Sequence, residues 1–433
     1  MSRQRSLDLR TVLASLLLAF PVVPFAGCSE RKPANVLLIS VDTLRPDRLG
    51  YGGNARPTSP AIDRLAGEGI AFPNAFSAAG WTLPSMATIL SGRYPKDHRA
   101  TSFRSALRDD LPTLSSILKR RGYDTRGYVS HLALSPQYGF DRGFDRFDDS
   151  VLDIGHPHLA STDRQLTDRV IADFGDIRAP YLLWVHYFGP HYDYLWHEGW
   201  ESFGRSDSDR YDQEVAYTDS HIGRLLDELT RRGLYENTIV VFVADHGEEF
   251  GEHGGQYHYT LYNEVLRVPL IIRAPSLAPG SQSARVEQID LLPTILGLLE
   301  APTGPGETFA GRDVLAPAAP RGPTFFERDR PPPWRQRAVM DGRYKLVVIE
   351  EVASQSGPVD SATPVENVHP GIYLYDLEED PGEQVNLYAE GDPRARDLLA
   401  VLEKHFAREA AIGPKLEIDE ALREKLRSLG YAE

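Results

Sequence analysis

A chain of 433 residues with a formal net charge of −15 is long enough for one large domain and a smaller one. It is too acidic to attract nucleic acid over a broad surface, which leaves a small anion in one local pocket as the compatible charged partner. Its single cysteine excludes intramolecular disulfides, so the fold has to rest on its core.

Arg3, Arg5 and Arg10 precede the apolar stretch from Thr11 to Phe25, which is followed by Ala26-Gly27-Cys28. A basic head, an apolar centre and small residues at the end have the layout of a secretory signal, too short for a stable span. The small pair before Cys28 resembles the lipobox of bacterial lipoproteins, although Phe25 stands where an aliphatic residue is usual. Residues 1–27 are therefore expected to be a signal peptide. The mature protein is expected in the cell envelope, periplasmic or outer-membrane, touching the membrane only through a lipid on Cys28.

Asn35 to Val41 is a continuous apolar run ending at Asp42, as a strand buried on both faces reads. Tyr181 to Tyr187, Thr238 to Ala244 and Val268 to Ile272 read the same way. Pro84 to Ser91 predicts a short helix closed by Gly92. Val215, Ile222, Leu225, Leu226 and Leu229 share one face of a longer helix that ends at Arg231, Arg232 and Gly233. Strands alternating with helices predict a doubly wound α/β domain whose ligands gather beyond the carboxyl ends of the strands. Asp42 and Asp245 each directly follow a strand pattern.

The proline-rich stretch from Ala316 to Pro333 reads as a connector. Beyond it, Tyr344 to Ile349 and Ile372 to Leu377 are strand-like, a polar loop runs from Val352 to His369, and a helix follows near Leu398 to Arg408. The expected division is a catalytic domain over residues 28–320 and a small α+β subdomain over residues 321–433.

Thr82 precedes Pro84 at a helix entrance, where free backbone N–H groups favour developing negative charge. Taken alone, this segment reads most simply as Thr82 capping the helix. Asp245 and His246, adjacent at a strand end, can reach one metal ion together with Asp42, and such an ion activates a hydroxyl nucleophile. Glu248, Glu249 and Glu252 read as solvated loop charges, with a hydrogen bond from one of them to a ligand as the alternative.

Five segments resemble the sulfatase family in the family's own order: Asn35 to Gly50, Thr58 to Ala66, Trp81 to Pro95, Asp245 to Gly254 and Tyr375 to Glu383. The resemblance implies the alkaline-phosphatase superfamily fold, a large, mixed, mostly parallel sheet sandwiched by helices with a small C-terminal α+β subdomain. A divalent metal is expected at the carboxyl edge of that sheet. The departures are specific. Thr82 stands where the family carries the cysteine that becomes formylglycine, Asp42-Thr43 replaces paired aspartates, Met86 replaces an arginine and Val129 a lysine. Asp245-His246 replaces Asp-Asn, which moves the site from calcium toward manganese or zinc.

Asp42, Thr82, Asp245 and His246 resemble the metal set of phospho-transferring superfamily members. The resemblance also implies that His191, in Gly189-Pro190-His191, contacts substrate and protonates the leaving group; His131, counted with it as catalytic, is expected to bind a non-bridging oxygen, and His258, close after the metal pair, to face the pocket as a substrate-binding residue. One metal ion is expected, because a second set from Asp193, His197 and His258 is loosely spaced. The function expected is hydrolysis of phosphate esters, phosphodiesters foremost, through a Thr82 covalent intermediate, on a small-molecule or envelope-polymer substrate. The alternatives are sulfuric ester hydrolysis and a non-catalytic binding lipoprotein.

Overall fold

The computed structural model describes residues 33–153, 161–301, 303–304, 307–317, 321–329, 334–351, 368–407, 414–418, 420, 423–424 and 426. The signal and lipidation expectations, and most of the loop after Val352, lie outside the described residues.

Runs with no charged side chain need cover on both faces, which only the middle of a helix-flanked sheet provides. Among the described residues the large sheet comprises β1 (Asn35–Val41), β2 (Ile70–Ala71), β3 (Asp124–Val129), β4 (Arg146–Asp148), β5 (Tyr181–Tyr187), β6 (Thr238–Ala244), β7 (Leu270–Arg273) and β8 (Gly280–Ser281). Their spatial order is β8-β2-β7-β6-β1-β5-β3-β4. The three fully buried seven-residue strands stand side by side and parallel, with β1 between β6 and β5. β7 runs antiparallel to β6. The strand expected over Val268 to Ile272 is split at Pro269, which has no N–H to give the ladder. Arg267–Val268 pairs instead with Ala75–Phe76 in a separate small sheet.

Helix α1 (Thr82–Ser91) is buried at all ten positions and closes on Gly92, whose φ of 63° is left-handed. It begins two residues earlier than the proline suggested. Helix α2 (Asp207–Arg231) carries a capping box at Ser206 and Asp209 and buries the predicted apolar face against the sheet.

A second sheet is antiparallel, ordered β9 (Thr324–Arg328), β10 (Trp334–Asp341), β11 (Tyr344–Glu351) and β12 (Gly371–Asp376). The connector expected from Ala316 to Pro333 thus contains a strand, β9. Helix α3 (Pro393–Phe406), capped by Asp392, packs Leu398 and Leu402 on Val339, Leu346 and Leu374. Both sheets belong to one compact unit, Ala34–Glu433. Phe76, Leu261 and Leu266 form a shared apolar seam with Phe326, Met340, Val347 and Tyr375. Two polar clamps cross that seam: the Arg328 guanidinium donates to the Gly80 carbonyl, and Gln336 Nε2 donates to the Tyr259 carbonyl at 2.6 Å. Among the described residues no helix is long and apolar enough to cross a membrane.

Candidate active site

The register of the central strands sets the site. Val41 pairs with Tyr187 on one side and Ala244 on the other, so the residues after β1 and β6 emerge together at the carboxyl edge. Those residues are Asp42, whose N–H donates to Tyr187 O at 3.0 Å, and Asp245, whose N–H donates to Val41 O at 3.2 Å. Thr43 then turns through a left-handed φ of 51° and gives its own N–H to Asp245 Oδ1 at 3.1 Å.

Thr82 is the first residue of α1, after an extended Trp81, and no side chain caps this helix. Its hydroxyl lies 3.4 Å from each Asp42 oxygen and 3.5 Å from His246 Nε2. The capping alternative is therefore corrected: a threonine inside the first turn aims its oxygen away from the N–H groups a preceding residue would cap.

The second ring nitrogen of each histidine decides what its first can do. His246 Nδ1–H donates to Gly247 O at 2.9 Å, which turns the Nε2 lone pair toward Asp42 (3.5 Å) and Asp245 (3.6 Å). A metal-ligating histidine is typically held in this way. His131 Nδ1 accepts from the Ala133 N–H at 2.9 Å, so neutral His131 carries its proton on Nε2, 3.7 Å from Asp42 Oδ2. His191 Nδ1 donates to Tyr192 O at 2.6 Å, and its ring centre is 5.9 Å from that of His131 and 5.4 Å from that of His258. His258 Nδ1 faces Glu248 Oε1 at 3.0 Å, with its ring 4.6 Å from that of His246. All seven residues singled out in the sequence thus converge on one buried point.

Burial dominates the electrostatics. It pushes the Asp42 carboxyl well above the ordinary range, with Glu248 adding to the rise. Asp245 is raised by burial and then by Asp42 beside it. Burial also holds His246 and His258 well below the usual imidazole value. Two carboxylates sharing a dry site and facing neutral imidazoles are a poor arrangement without a cation. Asp245 Oδ2 is buried with no hydrogen-bond partner, and buried polar atoms without partners are rare in folded proteins. The donor set therefore fits a divalent ion.

One site residue escaped the sequence reading, and the burial of another was not foreseen. His186, in β5, places a ring nitrogen within 4.8 Å of donor atoms of both Asp42 and Asp245. The signal was an imidazole inside an otherwise apolar strand, one residue before its end. Glu248 is fully buried rather than solvated, and Glu249 nearly so. Burial raises both carboxyls, Glu249 to about 8. The loop after β6 folds inward, so its charges orient His258 and Thr260 instead of meeting water. Met86 and Val129 are core residues. The loose set of Asp193, His197 and His258 is not assembled as a metal group: His197 stacks on Tyr217 and pairs with Glu214 at 3.2 Å, while His258 pairs with Glu248.

The fold and donor set define a class, hydrolases of sulfate or phosphate esters with the alkaline-phosphatase-like architecture. A model of the sulfatase family matches residues 34–301, and the chain belongs to that family. Human arylsulfatase A is 28% identical over 447 residues, covering 86% of this chain and 86% of its own. The N-acetylglucosamine-6-O-sulfatase of Bacteroides thetaiotaomicron is 24% identical over 519 residues, covering 90% of each. Among solved structures, the phosphonate monoester hydrolase of Silicibacter pomeroyi superposes with a TM-score of 0.67 at 22% identity, covering 86% of this chain and 94% of that one. Members of the family bind a divalent metal ion, for which Asp42, His186 and Asp245 form a possible ligand cluster.

Proposed function

We propose that the protein is an exported, metal-dependent hydrolase of phosphate esters, phosphodiesters foremost, that works through a covalent bond to Thr82. The observation that carries this reading is the Thr82 hydroxyl, 3.4 Å from both Asp42 oxygens, in a site whose nucleophile position holds no cysteine. A formylglycine hydrate can expel sulfate by collapsing to the aldehyde. A threonine ester has no such route and must be cleaved by a second in-line attack, which phosphoryl groups tolerate.

A divalent ion held by Asp42, Thr82, Asp245 and His246 would lower the proton affinity of the hydroxyl and neutralise phosphoryl oxygens. One-carboxylate, one-imidazole replacement in the family pattern favours Mn²⁺ or Zn²⁺ over Ca²⁺. Thr82 Oγ1 gives its proton to the facing Asp42 carboxylate and attacks phosphorus, and the bond to the leaving oxygen breaks. His191, holding Nδ1–H on the Tyr192 carbonyl, gives that oxygen a proton from Nε2 in its charged form. His131, with its proton fixed on Nε2, donates to a non-bridging oxygen. His258 contacts the substrate beside His246. Water then gives a proton to the now neutral His191 Nε2 and attacks phosphorus, the P–Oγ1 bond breaks, and the Thr82 oxygen recovers its proton from Asp42.

A phosphonate monoester hydrolase among the structural neighbours is in keeping with this chemistry. The arylsulfatase and sugar sulfatase relatives favour the second reading, hydrolysis of sulfate esters. The test is intact-mass analysis after brief exposure to an aryl phosphodiester, with turnover compared across phosphodiesters, phosphomonoesters and sulfates. A phosphoryl-sized adduct on Thr82, absent in Thr82→Ala, is expected. Dominant sulfate turnover that survives chelation of transition metals would sink the proposal. Export and the Cys28 anchor rest on the N-terminal pattern, and a lipidated mature N-terminus in the membrane fraction is the matching readout.

A further inference from the structure

We infer that His186 is a further ligand of the metal ion, so that the site binds its cation with two imidazoles as well as two carboxylates. The inference rests on the metal-dependent reading above.

An imidazole in the centre of a parallel sheet costs free energy unless both ring nitrogens are used. His186 is fully buried in β5, in register with Ser40 on one side and Val129 on the other. Its Nδ1 lies 2.9 Å from Ser40 Oγ, and that oxygen already takes the Trp184 Nε1–H at 2.9 Å. A serine oxygen has two lone pairs and can accept from both rings. With Nδ1–H so donated, the Nε2 lone pair is turned to the site, the hydrogen-bonded arrangement that ligating histidines adopt. Nε2 has no hydrogen-bond partner in the fold and lies 3.5 Å from Asp42 Oδ2. His246 Nε2 lies 3.5 Å from the other oxygen, Oδ1. Asp42, His186 and Asp245 bring donor atoms within 4.8 Å of one another, while the neighbouring Thr43 offers no third carboxylate.

The opposite tautomer gives a different role. If Ser40 donated to Nδ1, the Nε2–H would point at Asp42 and His186 would only orient that carboxylate. The ligand assignment requires the first tautomer, and spectroscopy separates the two.

The experiment loads the full-length protein with Mn²⁺ and counts coordinated imidazoles by electron spin-echo nitrogen modulation, beside a Mn²⁺ titration that gives affinity and stoichiometry. His186→Asn is expected to lower the nitrogen count by one and weaken Mn²⁺ by at least ~10-fold. Ser40→Ala, which keeps the ligand and removes the partner of its remote nitrogen, is expected to change one nitrogen's quadrupole coupling at constant count. It serves as the deciding variant should His186→Asn not fold. An unchanged count and affinity in His186→Asn, an unchanged coupling in Ser40→Ala, or two ions per chain would each overturn the assignment. A failed nitrogen assignment in protein that still forms the Thr82 adduct leaves the phosphoryl reading standing. A confirmed assignment without the adduct sinks that reading alone.

Discussion

Lys345 and Glu383 are as deeply buried as Asp42 and Asp245, yet the two pairs are built on opposite principles. In the C-terminal sheet, Lys345 Nζ lies 2.7 Å from Glu383 Oε1 and 3.3 Å from Asn263 Oδ1. The Asn263 N–H closes the cluster on Glu383 Oε2 at 2.7 Å. At the carboxyl edge of the large sheet, two like charges lie together and, among the described residues, no lysine or arginine pairs with either. The first cluster compensates its charge from within and serves the fold. The second leaves its charge to be met from outside, which is what a binding site for a cation requires.

The largest effect that sharpens this contrast is on rate. Thr82→Ala is expected to reduce turnover by at least about 10³-fold while the thermal unfolding midpoint stays near that of the wild type. Next comes breaking the compensated cluster. Lys345→Ala leaves Glu383 buried and alone, at a cost of about 3–5 kcal/mol in urea unfolding, whereas the double replacement Lys345→Met with Glu383→Leu recovers most of it. Third, Mn²⁺ at a hundred times its dissociation constant is expected to stabilise the wild type by about 2.7 kcal/mol. Chelation reverses the gain, and Asp245→Asn shows little of it. Equal stabilisation of both proteins would break the comparison.

A last effect, confined to acid pH and absent near neutrality, concerns a group kept neutral by burial. His98 donates from Nε2 to Pro84 O in α1, accepts the Ala100 N–H at Nδ1, and is held down to about 3. The unfolded chain takes up a proton near 6.5, the folded one only near 3. Stability is therefore full above pH 6.5 and falls as pH drops through that window, by up to about 1.4 kcal/mol per pH unit. His98→Gln is expected to flatten that part of the urea-midpoint profile.

The central strands were legible because a charge-free run of branched residues has one place to go, and Asp42 and Asp245 because each interrupts such a run at its end. Thr82 and His246 were marked by their places at a helix entrance and a strand end, while His131 and His191 came into view through motif order and His258 through its place close after the metal pair. His186 was hidden because it lies one residue before a strand end, where the periodic pattern registers only burial. Glu248 was hidden because a charged loop residue looks solvated until the loop is seen to fold inward. β9 was hidden by flanking prolines, and the split at Pro269 by an apolar run continuous on both sides. Pairing between distant strands determines each of these, and it leaves no local mark.

The clamps across the seam have a consequence for a shortened chain. Arg328 and Gln336 hold the backbone at Gly80, two residues before Thr82, and at Tyr259, one residue after His258. Both clamps come from strands that a ribosome makes after every residue of the catalytic set. A chain without those strands holds every residue of the candidate site but not the two clamps. Removing the last quarter of the polypeptide is therefore expected to lower turnover although every residue of the candidate site stays in the chain.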